Sequence, residues 1–226
     1  MTHAPSQELT MRIIQPHDLP AAARALEDGK LVVVPTSRWY MICADASDAE
    51  ACGRIFQSKQ RPTSKPLALV TPSLTSCEQT FRLTSEARLL AEAFWPGDLA
   101  LMLPWREPER AARMTAVGSP ALVTMAPGVL GGLAALARVP LAATTINVSG
   151  NAGPDDPGPA ITLDDVREFL SATGLEVALA IDGGTCPAAN HMTIVDCFTA
   201  KASLIRTGLV HQRALSTALG RDIPAA

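Results

Sequence analysis

The sequence predicts a single α/β domain with a twisted, mixed β-sheet flanked by helices, and three observations carry that prediction. Short apolar runs such as LVVV (31–34) and LALML (99–103) are continuous rather than alternating, the pattern of strands covered on both faces. Between them lie amphipathic stretches with recognisable caps and stops, so strands and helices alternate for most of the length. In the last third, short strands follow one another without helices between them, which makes the sheet mixed rather than purely parallel.

Taken in order, residues 1–10 read as a flexible arm and 11–14 as a short edge strand. Asp18 as N-cap, Pro20 in the first turn and Gly29 just past the end mark a helix. LVVV follows and stops at Pro35, leading into the turn PTSRWY. Residues 47–58 form a helical pattern capped by Ser47 or Asp48, which delivers Lys59 at its C-terminal end. PLALV (66–70) is a strand, and 84–95 is a helix with Thr84 as N-cap, ended by Pro96-Gly97. LALML is a buried strand, and the polar stretch 104–114 reads as a surface excursion. ALVTM (121–125) is a strand, followed after Ala126-Pro127-Gly128 by a helix of small residues. The strand at 141–144 opens into a polar turn carrying Thr145, Asn147, Ser149 and Gly150. DDPGP (155–159) breaks regular structure. Residues 161–173 are a helix with Thr162 as N-cap and Asp165 at N3, close to a capping box. Strands ending at Asp182, within TIVDC (193–197) and within ASLIRTG (202–208) precede a last helix in HQRALSTALG. The boundaries expected are an arm over 1–10, the domain over 11–210, and a C-terminal helix and tail over 211–226.

Composition narrows the function classes. At 226 residues with 47 % hydrophobic content, the chain can bury one core. A net charge of -3, from 19 basic and 22 acidic residues, argues against a protein that coats nucleic acid. The five cysteines are widely spaced with no CxxC pair, so they read as reduced, buried thiols. No apolar run approaches the roughly 18 residues of a membrane span, and the N-terminus lacks the features of a signal peptide. A cytoplasmic location with no membrane partner is the expectation.

The chemistry gathers in SKQRPTSKP. Lys59, Arg61 and Lys65 fall within seven residues of a loop stiffened by Pro62 and Pro66, an anion-holding composition. On an extended segment Lys59 and Arg61 would project the same way. The plain alternative is a solvated basic turn. The other polar candidates also follow strands, as the loops of α/β sheets lead one to expect.

In order and content these blocks resemble the YrdC/Sua5 family, the L-threonylcarbamoyladenylate synthases, from about Ile13 to Gly208. Pro35, Thr36 and Tyr40 fit the family's PT-x-x-x-Y turn. Lys59, Arg61, Pro62, Lys65 and Pro66 fit its K-x-R-P…KP loop, and Phe94 to Gly97 its F-W-P-G block. Thr145, Asn147, Ser149 and Gly150 stand at its S-x-N-x-S-G turn. Asp182 to Gly184, Thr193 to Asp196, and Arg206 with Gly208 complete the set. The resemblance implies a YrdC-like domain that uses ATP, Mg2+ and bicarbonate to turn an amino acid into a carbamoyl-adenylate, a nucleotidyl transfer. It implies catalytic roles for Lys59 and Arg61 and nucleotide contacts from Lys59, Arg61, Lys65, Thr145, Asn147, Ser149 and Arg206. Thr36, Arg38, Tyr40, Met125 and Met192 would flank the amino acid, and no metal ligand is assigned. With the chain ending about twenty residues past Arg206, the extra C-terminal domain of some members is not expected.

The departures from the family pattern cluster on the amino-acid side. Met41 stands where the family has Gly, Arg38-Trp39 replace small or apolar residues, Met125-Ala126-Pro127 replaces R-x-P, and Met192 replaces a Ser. A pocket that loses a polar donor and gains Met side chains and a Trp satisfies a small hydroxy amino acid less well. The expectation is retained nucleotide handling with an altered amino substrate. The methionines read equally well as core filler, Trp39 and Trp95 as core aromatics, and His191, Asp182 and Asp196 as structural groups. The competing class is a non-catalytic nucleotide- or RNA-binding module, with RNA or tRNA-modification proteins as partners.

Overall fold

A computed structural model describes residues 11–148 and 158–226. The expected arm over 1–10, the Ser149-Gly150 end of the polar turn and most of the DDPGP break lie outside the described residues.

The chain runs β1 (Arg12–Ile14), α1 (Leu19–Glu27), β2 (Val32–Pro35), β3 (Tyr40–Asp45), α2 (Ala49–Ser58), β4 (Ala68–Val70), α3 (Leu74–Thr80), α4 (Ser85–Phe94) and β5 (Leu99–Leu103). It continues through α5 (Pro108–Arg113), β6 (Ala121–Thr124), α6 (Gly128–Leu136), β7 (Leu141–Thr145), α7 (Leu163–Thr173), β8 (Leu179–Ile181), β9 (Thr193–Asp196), β10 (Ser203–Arg206) and α8 (Gln212–Leu219). The strands form one ten-stranded sheet in the order β1-β8-β2-β3-β7-β4-β6-β5-β9-β10. Parallel pairs (β1 with β8, β4 with β6, β5 with β9) sit among antiparallel ones (β2 with β3, β3 with β7, β5 with β6), so the sheet is mixed. The expected fold class is the one observed.

Both faces of the sheet are covered. Val32 and Val34 of β2 point into a core shared with α1 and α6, whereas Val33 and Leu31 point into a larger core closed by α2, α4 and α7. That is why LVVV carries no polar alternation. Among the described residues no helix is long and apolar enough to cross a membrane. All five cysteines are free and buried.

Three elements lie where none was expected, and one cap differs. Tyr40, expected to end the turn PTSRWY, begins the strand Tyr40–Asp45, paired with both β2 and β7. Residues 74–80 form a short helix capped by the Ser73 side chain on the Ser76 N–H. Within the polar stretch 104–114 lies the exposed helix α5. Asp18 precedes α1, but its side chain makes no capping hydrogen bond. The remaining caps agree: Asp48, Thr84 and Thr162 each accept from the first turn of their helices, and Thr162 with Asp165 forms a complete capping box.

Candidate functional site

Helix α2, anchored in the larger core by Ala51, Cys52 and Ile55, ends at Lys59. Its end is a Schellman turn: the Arg61 N–H donates to Phe56 O (2.9 Å), the Gln60 N–H to Gln57 O (3.1 Å), and Gln60 takes the left-handed conformation at φ 47°. Lys59 and Arg61 therefore do not lie on an extended segment, as the sequence suggested, but on a reversed turn that folds Arg61 back over the helix end. From this C-cap the Lys59 side chain runs inward, with only 1 % of its surface exposed. Its ammonium donates to Thr145 O (2.5 Å), Asn147 O (2.5 Å) and Asn147 Oδ1 (3.0 Å). Three protons meet three oxygens. The Thr145 hydroxyl adds a bond to Asn147 Oδ1 at 2.8 Å, and Asn147 Nδ2 donates to Val148 O at 3.0 Å. The turn after β7 is thus tied to the end of α2, 86 residues earlier. Burial, with Arg61 next to it, pulls the Lys59 ammonium down to about 7.

Arg61 spreads over its own loop, with Nε donating to Lys65 O (2.8 Å) and Nη2 to Pro66 O (2.7 Å). Lys65 contributes that carbonyl, while its side chain is exposed. At the end of β10, Arg206 donates through Nε and Nη2 to Met192 O (3.2 and 2.9 Å). The cations feel one another. Arg61 is lowered by burial and by Arg206, Arg206 by burial and by Arg38, and His191 by burial and by both Arg206 and Arg38. Lys59, Arg61, Arg206 and Arg38, drawn from three separate segments, therefore lie close enough for each to disfavour its neighbour's charge.

The residues expected to flank the amino acid begin at Thr36. Its hydroxyl donates to Trp39 O (2.7 Å) and accepts from the N–H groups of Arg38 and Trp39 (3.2 Å each), closing the loop between β2 and β3. That loop turns Arg38 inward. Its guanidinium lies 3.0 Å through Nη1 from Asp98 Oδ1 and 5.8 Å from the Trp39 ring centroid, with His191 on Trp39 at 4.9 Å. Arg38, Thr36, Met41, Asp98, Thr124 and Met192 are among the residues lining a cavity of ≈ 20 Å³, room for little more than one water.

Two residues expected on this wall are elsewhere. Tyr40 faces the larger core, because β3 alternates and Met41 takes the cavity side. Its hydroxyl donates to Gly184 O (2.8 Å) and accepts from the Gly183 N–H (3.1 Å), clamping the turn after β8. Met125 likewise packs on the larger core, in step with Val123, and its carbonyl accepts from Gly97. Ala126 and Pro127 line the cavity in its place. Ser149 lies outside the described residues. The residue that sequence reasoning missed is Asp98; the signal available was an acid directly after Pro96-Gly97, at the start of a strand that otherwise reads as wholly apolar.

A family model of the Sua5/YciO/YrdC type, described as telomere recombination, matches residues 24–208. The chain belongs to the Sua5/YciO/YrdC family. Within it, a threonylcarbamoyl-AMP synthase of Pyrococcus abyssi is 31 % identical over 190 residues, covering 83 % of this chain and 53 % of the relative. A putative threonylcarbamoyl-AMP synthase of Mycobacterium tuberculosis is 29 % identical, covering 89 % of each. The solved structure of P. abyssi Sua5 complexed with L-threonine superposes with a TM-score of 0.80 at 27 % identity, over 96 % of this chain and 62 % of that one. The chain spans about half the length of the first curated relatives it matches, those of P. abyssi and Bacillus subtilis. These relatives carry the name threonylcarbamoyl-AMP synthase, that of a carbamoyl-adenylate-forming enzyme.

Proposed function

We propose that this protein condenses an amino acid, bicarbonate and ATP into a carbamoyl-adenylate, releasing pyrophosphate. The observation that carries this reading is the Lys59–Thr145–Asn147 knot beside Arg61 and Arg206, a fixed positive cradle of the kind a triphosphate needs.

The chemistry asks little covalent work of the protein. The free amine adds to bicarbonate with loss of water, giving a carbamate. A carbamate oxygen then attacks the α-phosphorus, and the bond to the bridging oxygen breaks as pyrophosphate leaves. Negative charge builds on phosphate oxygens throughout, so positioned cations are the useful groups. With its protons committed to Thr145 and Asn147, Lys59 acts by holding the turn and by its charge. Arg61 and Arg206 are the guanidinium groups suited to paired contacts with phosphate. Among the described residues no cluster of three or more His, Cys, Asp or Glu converges. Mg2+ would accordingly arrive on the triphosphate oxygens, where it neutralises charge.

The test is pyrophosphate release measured with ATP, Mg2+, bicarbonate and a panel of amino acids, each component omitted in turn. Release that needs all of them, and that falls about tenfold or more in Arg61→Ala, supports the reading. Release independent of bicarbonate, or ATP binding unchanged in Arg61→Ala, overturns it.

A further inference from the structure

At the end of the sheet where β7 begins, α3, α5 and the end of α6 border a groove of ≈ 480 Å³, within the range of small-molecule sites. It lies apart from the basic cleft. Leu141, which lines it, is the first residue of β7, whereas Thr145 and Asn147 stand at and past the other end of that strand. Of the residues lining the groove, only Val70 also lines the ≈ 20 Å³ cavity beside Arg38.

The groove divides into a floor and a rim. Val70, Phe81, Met114 and Leu141 make an apolar floor. Ser47, Thr71 and Thr80 also line it, but their hydroxyls are spent on Asp45 Oδ1 (2.6 Å), Ser73 O (3.0 Å) and Ser76 O (3.0 Å). The charged groups on the rim are all cations: Arg110 and Arg113, three apart on α5 and so on one face of it, and Arg138 just past α6. Among the described residues no Asp or Glu lines the groove. Glu107 pairs with Arg110 at 3.0 Å, and Glu27 takes the backbone N–H of Arg138 (3.2 Å) rather than its guanidinium. Arg113 and Arg138 have no carboxylate within ion-pair distance among the described residues. The partial negative charge at the end of α6 offsets only part of one of them. In a chain of net charge -3, these two cations over an apolar floor are a local charge excess awaiting a counterion.

The excess and the floor together define the ligand. Two unpaired guanidinium groups match one phosphomonoester, close to doubly charged at neutral pH. With the hydroxyls spent, the floor offers little to a sugar, while the Met114 sulfur and the planar Arg110 group both favour an aromatic body. We propose that this groove is a second binding site, for a phosphomonoester carried on an apolar aromatic body, with Arg113 and Arg138 taking the phosphate. The site is independent of the carbamoyl-adenylate reading.

The experiment is calorimetric titration of the full chain with 1-naphthyl phosphate, 1-naphthol and inorganic phosphate, each with and without saturating ATP and Mg2+. 1-Naphthyl phosphate should bind at one equivalent with a dissociation constant below about 1 mM, whether or not ATP is present. It should bind about tenfold or more tighter than naphthol or inorganic phosphate, since each of these offers only half of the match. Joint substitution of Arg113→Gln and Arg138→Gln should weaken it about tenfold or more. Arg213→Gln, which removes an exposed arginine on α8 outside the groove, should leave it within about twofold. All three side chains are exposed, so the unfolding midpoints should stay at the wild-type value and the loss reads binding rather than folding. Absence of saturable binding, displacement by ATP, or inorganic phosphate or naphthol bound as tightly as the ester overturns the proposal. So does a joint variant that binds like the wild type, or an equal loss in Arg213→Gln.

Discussion

Lys59 Nζ stands 3.0 Å from Asn147 Oδ1 and 2.5 Å from the carbonyl oxygen of the same residue. On the proposed function, stability and nucleotide binding meet at this pair and can be separated there. Lys59→Met leaves buried acceptors on Thr145 and Asn147 without a donor, at about 1–3 kcal/mol each, offset in part by removing a desolvated charge. A lower denaturation midpoint and ATP affinity reduced about tenfold or more are expected. Asn147→Asp keeps an acceptor for Lys59 and adds its countercharge, so the midpoint should hold or rise. On the proposed function that carboxylate would repel the phosphates, and ATP affinity should still fall about tenfold or more. Denaturant titration and calorimetry check the split; a variant that binds ATP normally removes the turn from the nucleotide site.

Proton uptake on ATP binding follows from the same ammonium. Burial and Arg61 lower Lys59 from 10.5 to about 7. Below pH 7 the lysine is charged in both folded and unfolded chains, and the folded state bears the whole desolvation cost. Between about 7 and 10.5 the unfolded chain holds the extra proton, so this residue's contribution to stability rises with pH across that window. A bound triphosphate reverses the balance by favouring the ammonium. At pH 8, ATP binding should take up a fraction of a proton, and affinity should weaken as pH rises above about 7. Titrations in buffers of different ionisation heat measure the uptake. Equal uptake in Lys59→Met assigns it to another group.

The hydroxyl of Tyr40 spans two backbone groups, donating to Gly184 and accepting from Gly183, inside a fully buried ring. Tyr40→Phe should cost about 1–3 kcal/mol by orphaning them. A Cβ on Gly183 would lie 2.4 Å from Pro35 Cβ, so Gly183→Ala should push the turn off the end of β2 and destabilise further. Because Tyr40 faces away from the cavity, Tyr40→Phe should leave the KM for the amino acid within about twofold. A selective rise in that KM would return Tyr40 to the substrate wall.

The sequence made legible what depends on local chemistry. LVVV and LALML announce double-sided burial, Thr162 with Asp165 announces the start of α7, and the helical pattern over 47–58 announces that Lys59 stands at a helix end. What it hid is set by partners distant in the chain. β3 was hidden because the connecting loop 36–39 has no Gly or Asn to signal a hairpin; the Thr36 hydroxyl closes it instead. The facing of Tyr40 and Met125 depends on strand phase, and phase is invisible where both sheet faces are apolar. Asp98 became meaningful only when folding brought it to Arg38, sixty residues away in the chain.

Arg206 keeps its place through a loop closed on Thr193, which is fully buried. The Thr193 hydroxyl donates to Val210 O (2.7 Å) and accepts from the N–H groups of Gly208 (2.9 Å) and Val210 (3.1 Å), while the Leu209 N–H donates to His191 O (3.0 Å). Gly208 is pressed on this backbone: a Cβ there would lie 2.1 Å from His191 O and 2.6 Å from Met192 C, atoms that cannot turn aside. Gly208→Ala must therefore part the 206–210 segment from 191–193, separating Arg206 from Met192 O and opening the cavity wall that Met192 forms. Loss of about 3 kcal/mol or more, or failure to fold, is expected. Thr193→Val and Thr193→Ser keep the outcome interpretable. Valine fills the same space but orphans both N–H groups, and should cost about 2 kcal/mol or more. Serine retains the hydroxyl and loses one methyl, about 1 kcal/mol. Thermal unfolding and the KM for ATP should move together across the three variants, with serine nearest the wild type. A valine variant as stable as serine, with ATP binding intact, would show that the hydroxyl does not hold Arg206 over the cleft.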